Sequence, residues 1–408
     1  MCKRIFQNET SEMGDVPFYK IGTFGKTPDA YISYAKYLEF KSAYRFPNEG
    51  DILISAAGTI GRIVVYDGKP AYFQDSNIVW LAHNGKTLRN DFLFYVYQIT
   101  DWNTENTTIA RLYNDNFNKT TIPLPPIEEQ RRIASALTSI DNLIDSLDRL
   151  IAKKRAIKQG VMQQLLSGKK RLKGFTEPWV EKRLGEILSL KNGFAFKSET
   201  YCAIGKYKII TIANVQNGRF DLTDYNSVTD IPASIQQHQK LSIGDILISM
   251  TGNVGRVCRV DSSNCLLNQR VGLLEIRPNV NSDFVFTALN TNAFENAMRD
   301  KGQGAAQANI SKSDIEDYVL LMPSSLLEQQ AIASVLTSMD NELSALEAKR
   351  KKYEQIKRGM MQQLLTGRIR LENASTVHEA KELPPIGAGI SHVTVLREEQ
   401  SIKAGGSG

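Results

Sequence analysis

Two long stretches of the chain repeat an apolar residue every three or four positions. The apolar positions are Ile133, Leu137, Ile140, Ile144, Leu147 and Ile151 in the first stretch, and Ile332, Leu336, Met339, Leu343 and Leu346 in the second. This heptad spacing predicts two amphipathic helices, each with one apolar seam. Gly168 and Gly367 stand where each helix is expected to stop. About 40 residues would give about 60 Å of helix.

The two helical stretches are copies of one sequence. Residues 129–172 align with residues 328–371 without a gap at an offset of 199, and 23 of the 44 positions are identical. Upstream, GDILISAAGTIGR at 50–62 resembles GDILISMTGNVGR at 244–256. This order predicts a tandem repeat of domain, helix, domain, helix. Two similar seams in one chain predict that the helices pack together as an antiparallel coiled coil.

The segments between the helices predict mixed α/β (α+β) domains. Short β-rich runs, such as Asp51–Ser55 and Asp245–Ser249, alternate with Gly, Asn and Asp turns. Ile122–Leu124 and Leu321–Pro323 predict a last strand leading into each helix. The predicted boundaries are a first domain at 1–125, a helical spacer at 126–175, a second domain at 176–324, a second spacer at 325–372 and a flexible tail at 373–408.

Composition adds little to this picture but excludes several classes of protein. The 408 residues exceed one ordinary domain, and the formal charge of +6 is compatible with DNA binding without requiring it. No pair among the four cysteines has the C-x2-C spacing of a zinc site. No signal segment and no run of about 18 apolar residues is present. We expect a cytoplasmic protein with free thiols, no metal and no membrane contact.

Catalytic motifs are missing from the sequence. Gly22–Thr27 looks like part of a phosphate-binding loop, but Lys20 stands where that motif needs its first glycine. A strand-to-loop turn is the alternative interpretation. The four histidines are scattered along the chain. We therefore predict no catalytic residues and no metal ligands.

These repeats resemble those of a known family. The helix motifs E-Q-x-x-I-A-x-x-L and M-x-Q-L-L-[ST]-G resemble the helical repeats of type I restriction–modification specificity subunits. The sequence around Gly50–Arg62 and Gly244–Arg256 resembles that family's target-recognition domain, and Trp179–Leu190 resembles its usual opening segment. The resemblance covers residues 1–372. The first domain has no counterpart of Trp179–Leu190, so we expect it to lack an opening strand.

The resemblance implies a division of labour. Each domain would read one half of a bipartite, asymmetric site in double-stranded DNA, and the helices would set the spacing and dock two methyltransferase subunits. Restriction (nuclease–translocase) subunits would join the assembly. This chain would bind no cofactor, because S-adenosylmethionine, ATP and Mg²⁺ would be used by the partners. The alternative is a coiled-coil scaffold whose α/β domains bind protein; a fused nuclease is disfavoured by the missing catalytic motifs.

Candidate DNA contacts are polar side chains that can reach base edges or phosphates. One set precedes the last strand of each domain, and it comprises Arg111, Tyr113, Asn114, Asn116, Asn118 and Lys119 in the first and Gln303, Gln307, Asn309, Ser311 and Lys312 in the second. An ordinary solvated loop is the alternative. Thr59, Arg62, Asn253 and Arg256 form a second set, for which a tight turn between strands is favoured, because the nearby glycines suit turns.

Candidate partner contacts lie at the ends of the helices. Each seam is expected to be used by the other helix, which leaves the repeated helix ends for the methyltransferase subunits. The predicted residues are Glu129, Gln130, Gln163, Gln164, Glu328, Gln329, Gln362 and Gln363.

Overall fold

A computed structural model describes residues 1–102, 111–302 and 308–371. The chain divides into two compact units, and the divisions fall in the middle of the long helices. Unit 1 comprises Met1–Asp148 together with the segment from Ala348 onward, and unit 2 comprises Arg149–Glu347. Each unit therefore contains one α/β domain and half of each long helix.

The elements follow the predicted order of domain, helix, domain, helix. The first domain and its helix contain β1 Val16–Tyr19, β2 Tyr31–Ile32, α1 Tyr34–Ala43, β3 Ile52–Ser55, β4 Ile63–Val65, β5 Tyr72–Phe73, β6 Ile78–Trp80, α2 Asn90–Ile99, α3 Asn114–Lys119 and α4 Ile127–Leu166. The remaining elements are β7 Trp179–Arg183, α5 Leu184–Ile187, β8 Leu188–Asn192, β9 Tyr207–Ile210, β10 Val215–Gln216, β11 Arg219–Phe220, β12 Asn226–Val228, β13 Lys240–Leu241, β14 Ile246–Ser249, β15 Val257–Arg259, β16 Cys265–Leu267, β17 Val271–Ile276, α6 Ser282–Leu289, α7 Asn292–Lys301, α8 Lys312–Glu316, β18 Val319–Pro323 and α9 Leu326–Leu364.

The predicted apolar seam is confirmed in both long helices. Ile133, Leu137, Leu147 and Ile151 are buried in α4, as are Ile332, Leu336 and Leu343 in α9. The left-handed glycines Gly168 (φ 68°) and Gly367 (φ 72°) follow the two helices, as the sequence predicted.

Ion pairs within each unit show that the helix segments run antiparallel. In unit 1, Lys357 lies 2.7 Å from Asp141, and Arg350 pairs with Asp148. In unit 2, Lys154 lies 2.7 Å from Glu342, and Lys158 pairs with Asp340. Residue numbers rise along one segment while they fall along the other, which confirms the predicted antiparallel pairing. Such partly exposed pairs add little stability, so the apolar seam is the main source of the stability of the helix pairing.

Two sheets form the described part of the unit 1 domain, in the strand orders β2-β1-β5 and β4-β3-β6. Unit 2 repeats this arrangement with more strands, in the orders β12-β9-β16-β13 and β15-β14-β17-β8, with the pairs β18-β7 and β10-β11 in addition. The central strands β3 and β14 have the same sequence, Ile-Leu-Ile-Ser, and are buried throughout. Both domains are thus built around the same buried strand.

The last strand before each helix is present only in unit 2. There β18 pairs antiparallel with β7, and Leu321 stands opposite Glu181. The predicted strand at Ile122–Leu124 is wrong, because residues 120–126 form no strand. Within the described part of unit 1, no strand takes the place of β7, so the backbone there has no neighbour with which to form a ladder. Pro123, Pro125 and Pro126 also lack the N–H that a ladder needs.

A single tryptophan accounts for much of the difference between the two helix ends. The ring of Trp179 covers Gly168, and its Nε1–H donates to Glu328 Oε1 at 3.3 Å. The corresponding region of unit 1 contains a cavity of about 330 Å³ lined by residues that include Leu124, Glu129, Gly367 and Arg370. Leu124 remains 54% exposed there. The cavity lies where the ring of Trp179 packs in unit 2.

Candidate nucleic-acid interface

A buried serine fixes the same tight turn in both domains. Ser55 Oγ donates to Thr59 O at 2.5 Å and accepts from the Arg62 N–H at 2.8 Å. Ser249 Oγ likewise donates to Asn253 O and accepts from the Arg256 N–H at 3.1 Å. The glycines of both turns have φ between 64° and 84°, a region that other residues rarely adopt. The spacing of the repeated G-D-I-L-I-S-x-x-G-x-[IV]-G-R motif is therefore explained by the structure of the turn.

The structure brings the two predicted DNA-contact segments together in each unit. Ala57 in the turn of unit 1 forms an antiparallel bridge with Arg111, and Thr251 in unit 2 does the same with Asn309. Thr251 Oγ1 also lies 2.9 Å from Asn309 Oδ1. Segments that are more than 50 residues apart in sequence thus form one surface, and each unit has one such surface.

Two of the four predicted turn residues face solvent, and two are used internally. Thr59 and Asn253 are exposed. Arg62 donates to Phe24 O at 2.9 Å, and Arg256 donates to Gln216 Oε1 at 2.9 Å while its Nε lies 3.4 Å from Glu295 Oε1. The expectation that both arginines are available to DNA is therefore corrected, because their side chains hold the domain together.

The remaining predicted contacts differ in how free they are. Arg111, Tyr113, Asn118, Lys119 and Asn309 are exposed, Asn116 is half-buried, and Asn114 is part of α3. Ser311 caps α8, since its Oγ accepts from the Asp314 N–H at 3.1 Å. Lys312 is exposed beside Glu316 at 3.5 Å. Gln303 and Gln307 lie outside the described residues.

Sequence reasoning missed two polar residues at the edge of the unit 2 surface. Gln269 and Arg270 are exposed and directly precede β17, and Met250 N in the turn donates to Arg270 O at 3.1 Å. Their only signal in the sequence is a polar pair between two apolar runs. Strand order was needed to place them beside the turn.

Four of the predicted partner contacts are buried inside the helix ends. Glu129, Gln130, Glu328 and Gln329 are each at most 4% exposed. Gln130 Nε2 donates to Thr87 O and to Pro125 O, both at 2.8 Å, and Gln329 Nε2 donates to Pro323 O at 2.9 Å. These glutamines tie each helix start to its own domain. The expectation that they face a partner is corrected.

The two buried glutamates pair with arginines of the opposite helix end. Arg370 Nε lies 2.8 Å from Glu129 Oε1, and Arg171 Nε lies 2.8 Å from Glu328 Oε1. The hydrogen bond from Arg370 holds the pKa of Glu129 below its usual value, since it favours the ionised carboxylate. In each unit, the glutamate of the repeated E-Q pair therefore joins the start of one long helix to the segment after the other, and the glutamine joins that helix start to its domain.

The other predicted partner contacts remain accessible. Gln163, Gln164 and Gln362 are exposed, and Gln363 is half-buried. Gln163 also lines a cleft of about 900 Å³ in unit 2, whose other lining residues include Met162, Tyr318, Leu321 and Leu343. This cleft combines apolar and polar groups, as protein-binding surfaces do.

The described residues offer little reactive chemistry. Burial raises the pKa of the Cys2 and Cys258 thiols to about 12, so both stay protonated at neutral pH. Among residues 1–102, 111–302 and 308–371, no group of His, Cys, Asp and Glu is arranged to hold a metal ion. Within the same residues, no helix has the length and apolar character needed to span a bilayer.

Comparisons with known proteins identify the family. The family model for the type I restriction modification DNA specificity domain matches residues 1–154 and 176–358. The chain is 53% identical over 148 residues to a putative type I restriction enzyme specificity subunit of Haemophilus influenzae, a match that covers 36% of this chain and 38% of that relative. It is 28% identical over 367 residues to the MjaVIII specificity subunit of Methanocaldococcus jannaschii, covering 83% of this chain and 84% of that protein.

A solved structure shares the fold. The type I restriction–modification S subunit from M. genitalium superposes with a TM-score of 0.53 at 16% identity, covering 89% of this chain and 92% of that one. The fold is thus the two-domain, two-helix fold of that S subunit. The chain belongs to the type I restriction–modification DNA specificity family, as its repeats predicted. Its place in that family is one of DNA recognition and not of catalysis.

Proposed function

We propose that this chain reads a bipartite, asymmetric site in double-stranded DNA, one part by each unit. The observation that carries the proposal is the repeated surface, in which the same serine-fixed turn meets a second polar segment in both units. The backbone frame is shared, but the exposed side chains differ: Thr59 and Arg111 in unit 1 correspond to Asn253 and Asn309 in unit 2. Two equivalent frames with different side chains suit the reading of two different sequences.

The proposal includes the partners that the family name implies. Methyltransferase subunits would dock at the accessible helix ends, at Gln163 and Gln164 in unit 2 and at Gln362 and Gln363 in unit 1. Because the helix ends recur, two methyltransferase subunits per chain are expected, and restriction subunits would join them. S-adenosylmethionine, ATP and Mg²⁺ would be used by those partners in the cytoplasm, and this chain would bind none of them.

One experiment tests reading and docking together. The chain is co-expressed with its methyltransferase subunit in a host that lacks DNA methylation; the purified complex is weighed by native mass spectrometry, and the host genome is surveyed for methylated bases. We expect two methyltransferase subunits per chain and a methylated motif with two specified parts separated by unspecified bases. A motif with a single specified part, or methylation without sequence preference, would contradict bipartite reading; a one-to-one complex would contradict two docking sites.

A further inference from the structure

The strand that pairs with the strand of the turn serine is preceded by an equivalent position in both units. Ser249 in β14 stands opposite Val271 in β17, and Ser55 in β3 stands opposite Ile78 in β6. The residues that precede those strands are Arg270 and Asn77. Met250 N donates to Arg270 O at 3.1 Å, and Ala56 N donates to Asn77 O at 2.7 Å. The backbone at the two positions is therefore held in the same way.

The side chains at this position are polar and differ between the units. Arg270 is exposed, and within the described residues its guanidinium forms no hydrogen bond or ion pair. Asn77 is half-buried and follows Ser76, which has a left-handed φ of 55°. Arg256, the arginine in the turn itself, is held by Gln216 and Glu295. Of the two arginines beside the unit 2 turn, Arg270 is therefore the one whose guanidinium has no partner among the described residues.

The opposite side of each turn shows the reverse arrangement. The residue bridged to the turn is Arg111 in unit 1 and Asn309 in unit 2. Each unit thus has an arginine on one side of its turn and an asparagine on the other. The two residue types occupy opposite sides in the two units. A guanidinium fork pairs best with the edge of guanine, and a carboxamide pairs best with the edge of adenine. Such an exchange alters which base is recognised without altering the fold.

We propose that Arg270 and Asn77 occupy a specificity-determining position, Arg270 contacting a base edge in the part of the site read by unit 2 and Asn77 in the part read by unit 1. The inference rests on the proposed function, and it adds residues outside the segments that the sequence motifs indicate. It assigns base reading beside the unit 2 turn to Arg270, whereas the side chain of Arg256 is held by Gln216 and Glu295.

The test is a methylation survey of complexes that contain Arg270→Ala, Arg270→Lys, Asn77→Ala or a control. Arg277→Ala is the matched control, because Arg277 is an exposed arginine at the other end of the same strand, about 20 Å away. Arg270→Ala is expected to lower discrimination at one base position of one part of the site by about tenfold to a hundredfold. Arg270→Lys should also lower it, since lysine keeps the charge but lacks the fork.

Asn77→Ala should relax one position in the other part of the site, and Arg277→Ala should leave the motif unchanged. An unchanged motif with Arg270→Ala would overturn the inference. So would an equal loss of methylation at all sites, which would mark Arg270 as a phosphate contact. Failure of the proposed function is distinguishable, because the wild-type complex would then show no bipartite motif.

Discussion

Single side chains decide how much of each domain surface is free to contact DNA. The hydroxyls of Ser55 and Ser249 are buried and satisfy backbone groups inside the turns. Arg62 and Arg256 close the same turns from outside through Phe24, Gln216 and Glu295. The turn is therefore a rigid frame, and the reading groups are the residues that project from it.

Ser249→Ala tests this account of the turn. The substitution leaves the Arg256 N–H without the partner it has in a buried site, so unit 2 should lose about 1–3 kcal/mol of unfolding free energy. Urea unfolding followed by circular dichroism measures the change. Ser242→Ala is the control, because Ser242 is exposed and its hydroxyl forms no hydrogen bond within the described residues. Equal stability of the two variants would refute the role of the buried hydroxyl.

For single residues, the sequence predicted the tight turns but not the groups with which the arginines of the turns form hydrogen bonds. Glycine spacing is a local signal, so the tight turns at 58–61 and 252–255 could be inferred. The two partners of Arg256, Gln216 and Glu295, lie 40 and 39 residues away in the sequence. Nothing local separates an arginine that folds inward from one that faces solvent, so the sequence named Arg256 as a candidate contact and did not single out Arg270.

Strands and helices show a similar division between local and distant causes. The heptad seam is local, so both long helices could be predicted with their stop signals. The strand at 319–323 and the absent strand at 122–124 have similar apolar-proline sequences, and they differ in whether a partner strand is available. A sequence window does not contain that information, because β7 and β18 are more than 130 residues apart.

Substitution of Trp179 tests how β7 is held against the end of α4. It anchors β7 against the end of α4 by packing on Gly168 and donating to Glu328. Trp179→Ala should cost about 2–4 kcal/mol in the unfolding free energy of unit 2, less than a fully buried tryptophan. Trp179→Phe keeps a ring over Gly168 and loses only the N–H, so its cost should be about 1 kcal/mol. Thermal and urea unfolding distinguish the two, and equal losses would contradict the packing role of the ring.

The whole chain is organised in units that are out of phase with its sequence repeats. The sequence repeats as domain followed by helix, whereas each compact unit combines one domain with half of each long helix. Sequence comparison could not reveal this, because the offset of 199 is constant along the whole helical repeat and so marks no division within the helices. Only the contacts of the helices, such as Arg350 with Asp148 and Lys158 with Asp340, place the divisions.

Because the divisions between the units fall inside the helices, a shortened gene can encode the residues of one unit with a single joined helix. An in-frame deletion of residues 149–347 joins Asp148 to Ala348, and the seam continues unbroken because the two helix copies are equivalent in register. The product contains the residues of unit 1 alone. Its two helix halves, however, now form one continuous helix, so Arg350 and Lys357 can no longer fold back onto Asp148 and Asp141.

Each molecule of this product would need a second copy to supply the antiparallel helix against which its own helix packs. We expect a dimer by light scattering coupled to gel filtration, with Asp141→Lys weakening it and the double variant Asp141→Lys with Lys357→Asp restoring it. A folded monomer would contradict the expectation. The dimer would be two-fold symmetric, with the same reading surface presented twice. The DNA that it fits would be a palindrome.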